Sequence, residues 1–206
     1  MKKIVLTIII GGFASTFGYT QISRPAVTKS KADAVKIDPI PAPTVTPIYS
    51  LTSARVIIKT GSDNKEFLST MFANLWLKGH QGWSYDVDCL FQIPTLKNEF
   101  AVNSTTDLGF EKLNGYPPKL LLSNIQKNGL ELNVWYFVNF FMDAWKIENV
   151  SLTLEFRDQN GNPHPTMGTK IISFTNAVGF LSHDYHRMKC ITDQNLNPLL
   201  ASIEKN

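Results

Sequence analysis

Over residues 150–157 apolar and polar side chains alternate without a break: Val150, Leu152, Leu154 and Phe156 share one parity, Ser151, Thr153, Glu155 and Arg157 the other. A period of two is the spacing of a strand with one face buried and one solvated, and it is incompatible with a helix. The run ends in Asp158-Gln159-Asn160-Gly161-Asn162-Pro163, where Asn-Gly accepts positive φ, so the chain turns there toward a further strand over 170–175. The same period recurs earlier. Residues 55–60 read as a strand ending at Gly61, and in 71–78 Met71, Ala73, Leu75 and Leu77 alternate with Phe72, Asn74, Trp76 and Lys78. Residues 120–126 and 130–141 read as two more strands split by Lys127-Asn128-Gly129, with weaker strand patterns at 89–93 and 100–102. No window carries a sustained helical stripe except 194–205, which fits a short C-terminal helix. Many short strands with turn residues between them predict an all-β, antiparallel β-sandwich.

That pattern starts near residue 50, and what precedes it is different in kind. Met1-Lys2-Lys3, an apolar run over 4–10 and the small residues Gly18 and Thr20 before Gln21 have the layout of a signal peptide cleaved before Gln21, the alternative being a retained N-terminal anchor. Residues 21–49 hold Pro39, Pro41, Pro43 and Pro47 and read as an extended linker that cannot offset its ordering entropy. The expected organisation is therefore 1–20 signal peptide, 21–49 linker and 50–206 one globular domain, in a secreted, periplasmic or cell-surface protein. No later stretch is long and apolar enough for a membrane span. The 206-residue chain carries +3, and loss of Lys2 and Lys3 leaves +1. A near-neutral balance with no basic patch sets nucleic acid aside.

In an oxidising compartment Cys89 and Cys190 either pair across a long loop or remain two buried thiols. His183-Asp184-Tyr185-His186, with Cys190 behind, is the cluster most suggestive of chemistry. On a strand the two imidazoles point apart; on a helix the three-residue spacing brings them together as metal ligands. A small secreted hydrolase or metal-dependent enzyme using His183 and His186 is thus one functional reading. No nucleophile elbow, recognisable Cys-His setting or phosphate loop accompanies it. If Met71, Ala73, Leu75 and Leu77 face inward, Phe72 and Trp76 stand on the other face; Trp83 follows in a Gly-rich turn, and Trp135, Phe137 and Phe141 lie on the outer parity of their own strand. These aromatics form either a contact surface, with Phe72, Trp76, Trp83 and Trp135 as the ligand-binding candidates, or a layer covered by the rest of the chain.

The segments Val56-Ile57-Ile58-Lys59-Thr60-Gly61-Ser62-Asp63, then Ser69-Thr70 and Ala73-Asn74-Leu75-Trp76-Leu77-Lys78-Gly79, together with Asp143-Ala144-Trp145-Lys146-Ile147-Glu148-Asn149-Val150, resemble the opening and the late signature of a lipoxygenase-homology (PLAT) domain. The resemblance extends over about residues 54–156. It implies an antiparallel β-sandwich acting as a non-catalytic module for membrane or protein contact, here with an extracellular or envelope protein, a lipid or a glycan as partner. Some members of that family hold calcium in the early loops, and Asp63, with Asn64 and Glu66 nearby, is what matches here. No other cofactor is implied.

Overall fold

A computed structural model describes residues 46–79, 89–113, 117–175 and 179–205, which fall within one compact unit. The expected signal peptide and nearly all of the expected linker lie outside the described residues. The strands are β1 (Ser50–Thr60), β2 (Thr70–Leu77), β3 (Cys89–Leu96), β4 (Thr105–Gly109), β5 (Glu111–Lys112), β6 (Leu130–Phe137), β7 (Ala144–Trp145), β8 (Ile147–Arg157), β9 (Thr169–Thr175), β10 (Leu181–Ser182), β11 (Arg187–Thr192) and β12 (Pro198–Glu204). A four-stranded sheet runs β4-β1-β8-β9, a six-stranded sheet β12-β11-β6-β2-β3-β5, and β10 pairs with β7; every pairing is antiparallel.

The alternation decides what lies between the two main sheets. Val56 and Ile58 of β1 and Val150, Leu152, Leu154 and Phe156 of β8 contribute one layer, and Met71, Ala73, Leu75, Leu132, Val134 and Tyr136 the other, all buried in one core cluster. At about 1.5–3 kcal/mol per large apolar side chain, this burial is the main stabilising term of the fold. The turn after β8 forms as its residues require: Asp158 Oδ1 accepts the N–H groups of Asn160 and Asn162 at 2.8 Å each, and Gly161 sits at φ 85°.

Four expectations of secondary structure are corrected. Residues 120–126 are not a strand: a 3-10 turn over Pro117–Leu120 leads into α1 (Leu122–Asn128). Leu122 and Ile125, three apart, put one face of this helix into the core. Gly129 ends it at φ 82°, and a β-carbon there would fall 2.7 Å from the Thr192 carbonyl oxygen. Gly129→Ala is therefore expected to cost about 2–3 kcal/mol, from positive φ and the clash together; urea unfolding checks it, and a loss below about 0.5 kcal/mol refutes it.

The C-terminal helix expected over 194–205 is instead the edge strand β12. Asp193 Oδ1 accepts the N–H groups of Asn195 and Asn197 at 2.8 and 2.7 Å, closing a tight turn that returns the chain alongside β11. Similarly, the strand expected over 130–141 stops at Phe137, and the one at 100–102 is a single bridge between Lys65 and Phe100.

Candidate functional site

Antiparallel order places the ends of the elements. β1, β3, β6 and β9 finish, and β2, β4, β8 and β11 begin, at the same end of the sandwich. Loops 61–69, 97–104, 138–146 and 179–186 gather there. The chain enters β1 at the other end, where the Ile48 N–H donates to Gln159 Oε1 at 3.0 Å and Tyr49 packs edge-on to His164.

Loop 61–69 is organised around Lys65, whose side chain is 0% exposed. Its ammonium donates to the carbonyl oxygens of Ser69 at 2.5 Å, Asn98 at 2.6 Å and Glu66 at 3.3 Å, and lies 5.4 Å from the centre of the Phe100 ring. Burial lowers its pKa from 10.5 to about 8. The cationic centre of this loop is thus part of the chain. Of the residues expected as calcium ligands, the Asn64 amide donates to Glu99 Oε1 at 3.0 Å, and the Asp63 backbone carbonyl accepts the Lys146 N–H. Among the described residues no group of three or more His, Cys, Asp or Glu side chains is placed to share a metal ion.

Loop 138–143 is tied to loop 61–69. Ser69 Oγ accepts the Asn139 N–H at 3.0 Å and donates to Asp143 Oδ2 at 3.2 Å, and the same carboxylate oxygen accepts the Phe140 N–H at 3.0 Å. The Asp143 N–H closes the turn onto the Phe140 carbonyl. These bonds satisfy much of the polar backbone inward and leave the apolar side chains outward: Phe140 is 69%, Phe141 74% and Met142 91% exposed. Phe67 and Leu68 stand exposed on the neighbouring loop, as does Val102, whose loop bonds to Gly61. Phe180 and Tyr185 of loop 179–186 complete the end. Beneath it, Trp145 is fully buried between Phe100 and Tyr136, and its indole N–H donates to Thr60 Oγ1 at 3.2 Å.

The outer face of the six-stranded sheet runs up to this end. Phe72 and Trp135 are cross-strand partners stacked 5.8 Å apart, Phe72 stacks on Phe137 at 5.9 Å, and His186 lies against both Trp135 and Phe137. The Arg187 guanidinium sits 4.9 Å over Trp135 and pairs with Glu204, which Lys189 also contacts at 3.3 Å. Of the four expected contact aromatics, the fold brings Phe72 and Trp135 together. Trp76 is only 3% exposed, so it is removed from any open contact surface, and Trp83 lies outside the described residues. β2 is an inner strand of the sheet, flanked by β6 and β3, and its outward residue Asn74 is buried as Trp76 is. Phe67, Leu68, Phe140, Met142 and Phe180 were not singled out by their sequence pattern. The signal for three of the exposed positions is the run Phe140-Phe141-Met142 itself, where strict alternation fails just before Asp143.

His183 and His186 line one cavity of about 250 Å³ with Tyr136, Phe137, Val138 and Ser182. Each imidazole has a packing role. His183 Nδ1 is 3.1 Å from Asp184 Oδ1 and its ring lies against Phe141, while burial and the nearby charges of Arg187 and His183 lower the pKa of His186. Cys190 cannot join them, because it faces the core at 0% exposure. Nor do the cysteines pair. Both are free and buried, with Cys89 on β3 and Cys190 on β11; β2 and β6 lie between, three ladder spacings or roughly 14 Å.

No helix among the described residues is long and apolar enough to cross a membrane. Comparison with protein-family models, with curated proteins and with solved structures finds no match.

Proposed function

We propose that this protein is a non-catalytic binding module that docks onto a lipid surface through the apolar end of its sandwich. The observation that carries the reading is the loop tip Phe140-Phe141-Met142, three consecutive large side chains held outward by a hydrogen-bonded turn. Exposed apolar clusters of this size mark contact sites. A fluid hydrocarbon boundary closes around any projecting shape, so side chains that project need no matching pocket in the partner. Burying the three side chains is worth roughly 5–9 kcal/mol before the costs of association. Aromatic rings at the rim, such as Tyr185 and Phe180, suit the headgroup region, with an apolar body and, for Tyr185, a polar tip. The resemblance to lipoxygenase-homology domains supports the same class of function.

Sedimentation with phosphatidylcholine vesicles tests the reading. The full chain is expected to partition onto the vesicles, and Phe141→Asp to weaken partitioning by roughly a hundredfold, since a carboxylate replaces about 2–3 kcal/mol of burial. Thermal stability is expected to stay unchanged, because Phe141 is exposed in the free protein. Equal partitioning of both proteins removes the tip from the contact.

A further inference from the structure

Beside the tip lies β12, an edge strand of the six-stranded sheet. Among the described residues β12 has β11 as its only neighbour in that sheet, and residues 179–185 lie close to it. Gly179, at φ 89°, brings this loop so close that a β-carbon there would lie 3.4 Å from Ile203 Cδ1. Between loop and strand runs a groove of about 560 Å³, lined by Gly179, Phe180, Ser182, Tyr185, Ala201 and Ile203, with Ser202 at its edge. The volume is that of a small-molecule site, and a largely apolar lining with a few hydroxyl groups is the usual composition of one.

A cation stands against two of the lining residues, itself outside the lining. Lys146 Nζ donates to the Gly179 carbonyl at 3.1 Å and lies 5.0 Å over the Phe180 ring, so two groove residues hold it. Among the described residues no carboxylate pairs with it. Most of the other surface cations of this end are committed: Lys59 pairs with Glu148 at 2.7 Å, and Arg187 and Lys189 share Glu204. An apolar groove with an unneutralised ammonium fixed at its side is complementary to one kind of molecule, an apolar chain with an anionic head. Two of its lining residues, Phe180 and Tyr185, are also among the exposed large side chains.

We propose that the groove between β12 and loop 179–186 binds a single-chain anionic amphiphile, with its chain against Phe180, Ala201 and Ile203 and its head group paired with Lys146. This deepens the docking reading and rests on it for the source of the ligand, a lipid surface, but it is a separate site with a separate test. Lys146 is the specificity residue: it selects the charge of the head and leaves the binding of the chain to the groove.

Titration of the full-length protein in solution with laurate and with its uncharged counterpart, dodecanol, tests this without vesicles. The wild type is expected to bind laurate about tenfold more tightly, the worth of one partly exposed charge-assisted pair. In Lys146→Gln the preference is expected to vanish while dodecanol affinity is unchanged. The backbone bonds of Lys146 to Gly61 and Asp63 do not involve its side chain, so the fold is retained. Ala201→Phe, which fills the groove, is expected to lose both ligands, and Phe141→Asp to keep both. Equal affinity for laurate and dodecanol in the wild type overturns the assignment, as does an undiminished preference in Lys146→Gln. Should Ala201→Phe fail to fold, the Lys146→Gln arm decides alone. Loss of vesicle docking with laurate binding intact refutes only the docking surface.

Discussion

Lys65→Met is expected to lower the melting temperature by roughly 6–12 °C, corresponding to a loss of about 3 kcal/mol at 2–4 °C per kcal/mol for a domain of this size. Methionine keeps the length of the stem and removes the donors. The carbonyl oxygens of Glu66, Ser69 and Asn98 then lose the group they share, and an unsatisfied buried acceptor costs about 1–3 kcal/mol. Loss of the buried charge itself offsets part of this, which is why the expected total lies below the sum. The pH dependence has a definite sign. Burial holds the folded pKa near 8 against 10.5 in the unfolded chain, so between those values the unfolded state carries a proton that the folded state has released. The stability of the wild type relative to Lys65→Met should rise from pH 8 to pH 10.5. Urea unfolding of both proteins across that window reads the difference, and a gap that narrows with pH contradicts the assignment of desolvation as the dominant influence on Lys65. Calcium is expected to leave the wild-type melting temperature unchanged, because an ammonium already occupies the centre of the loop.

Trp145→Ala is expected to be the most damaging single change to the site, at about 3–5 kcal/mol. The indole is fully buried, packs edge-on against both Phe100 and Tyr136, and donates its N–H to Thr60 Oγ1. These contacts join β1, the bridge at Phe100, β6 and β7 directly under the two loops that carry the apolar tip. The loss therefore falls first on the loops. Hydrogen exchange should show faster opening of residues 61–69 and 138–146 than of β1 and β8, and vesicle partitioning should fall although Trp145 touches no lipid. Thr60→Val separates the two contributions: it leaves the indole packed but orphans its N–H, at about 1–3 kcal/mol. Uniform protection across the domain in folded Trp145→Ala would count against a local role.

Much of the fold is written in short stretches of the chain. The period of two in β8, the Asn160-Gly161 turn and the inward set Met71, Ala73, Leu75 are local patterns. A strand's two faces are set by neighbours two residues apart, and a turn by the φ its residues tolerate. The same locality explains where such reading fails. Residues 120–126 and 194–205 have apolar positions that fit either element. The choice fell to what they pack against: a core pocket that takes Leu122 and Ile125 from one helical face, and the open side of β11 that takes β12 as a partner strand of seven residues.

Which surfaces are free is a property of tertiary arrangement. Trp76 and Trp135 look alike as outer-parity aromatics, yet in the folded chain one is left at 3% exposure and the other joins Phe72 in a half-open stack. The two cysteines sit on strands of one sheet, and the order of the intervening strands keeps them apart. Residues 67–68, 102, 140–142 and 180–185 are scattered over more than a hundred positions; antiparallel pairing brings their loops to one end, where the Ser69–Asp143 bond ties loop 61–69 to loop 138–143. The sequence by itself determined an all-β chain with inward and outward faces, because those depend on neighbours along the backbone. The tertiary structure alone decided where an apolar end, a buried cation and a charged groove meet, because that depends on which distant strands pair.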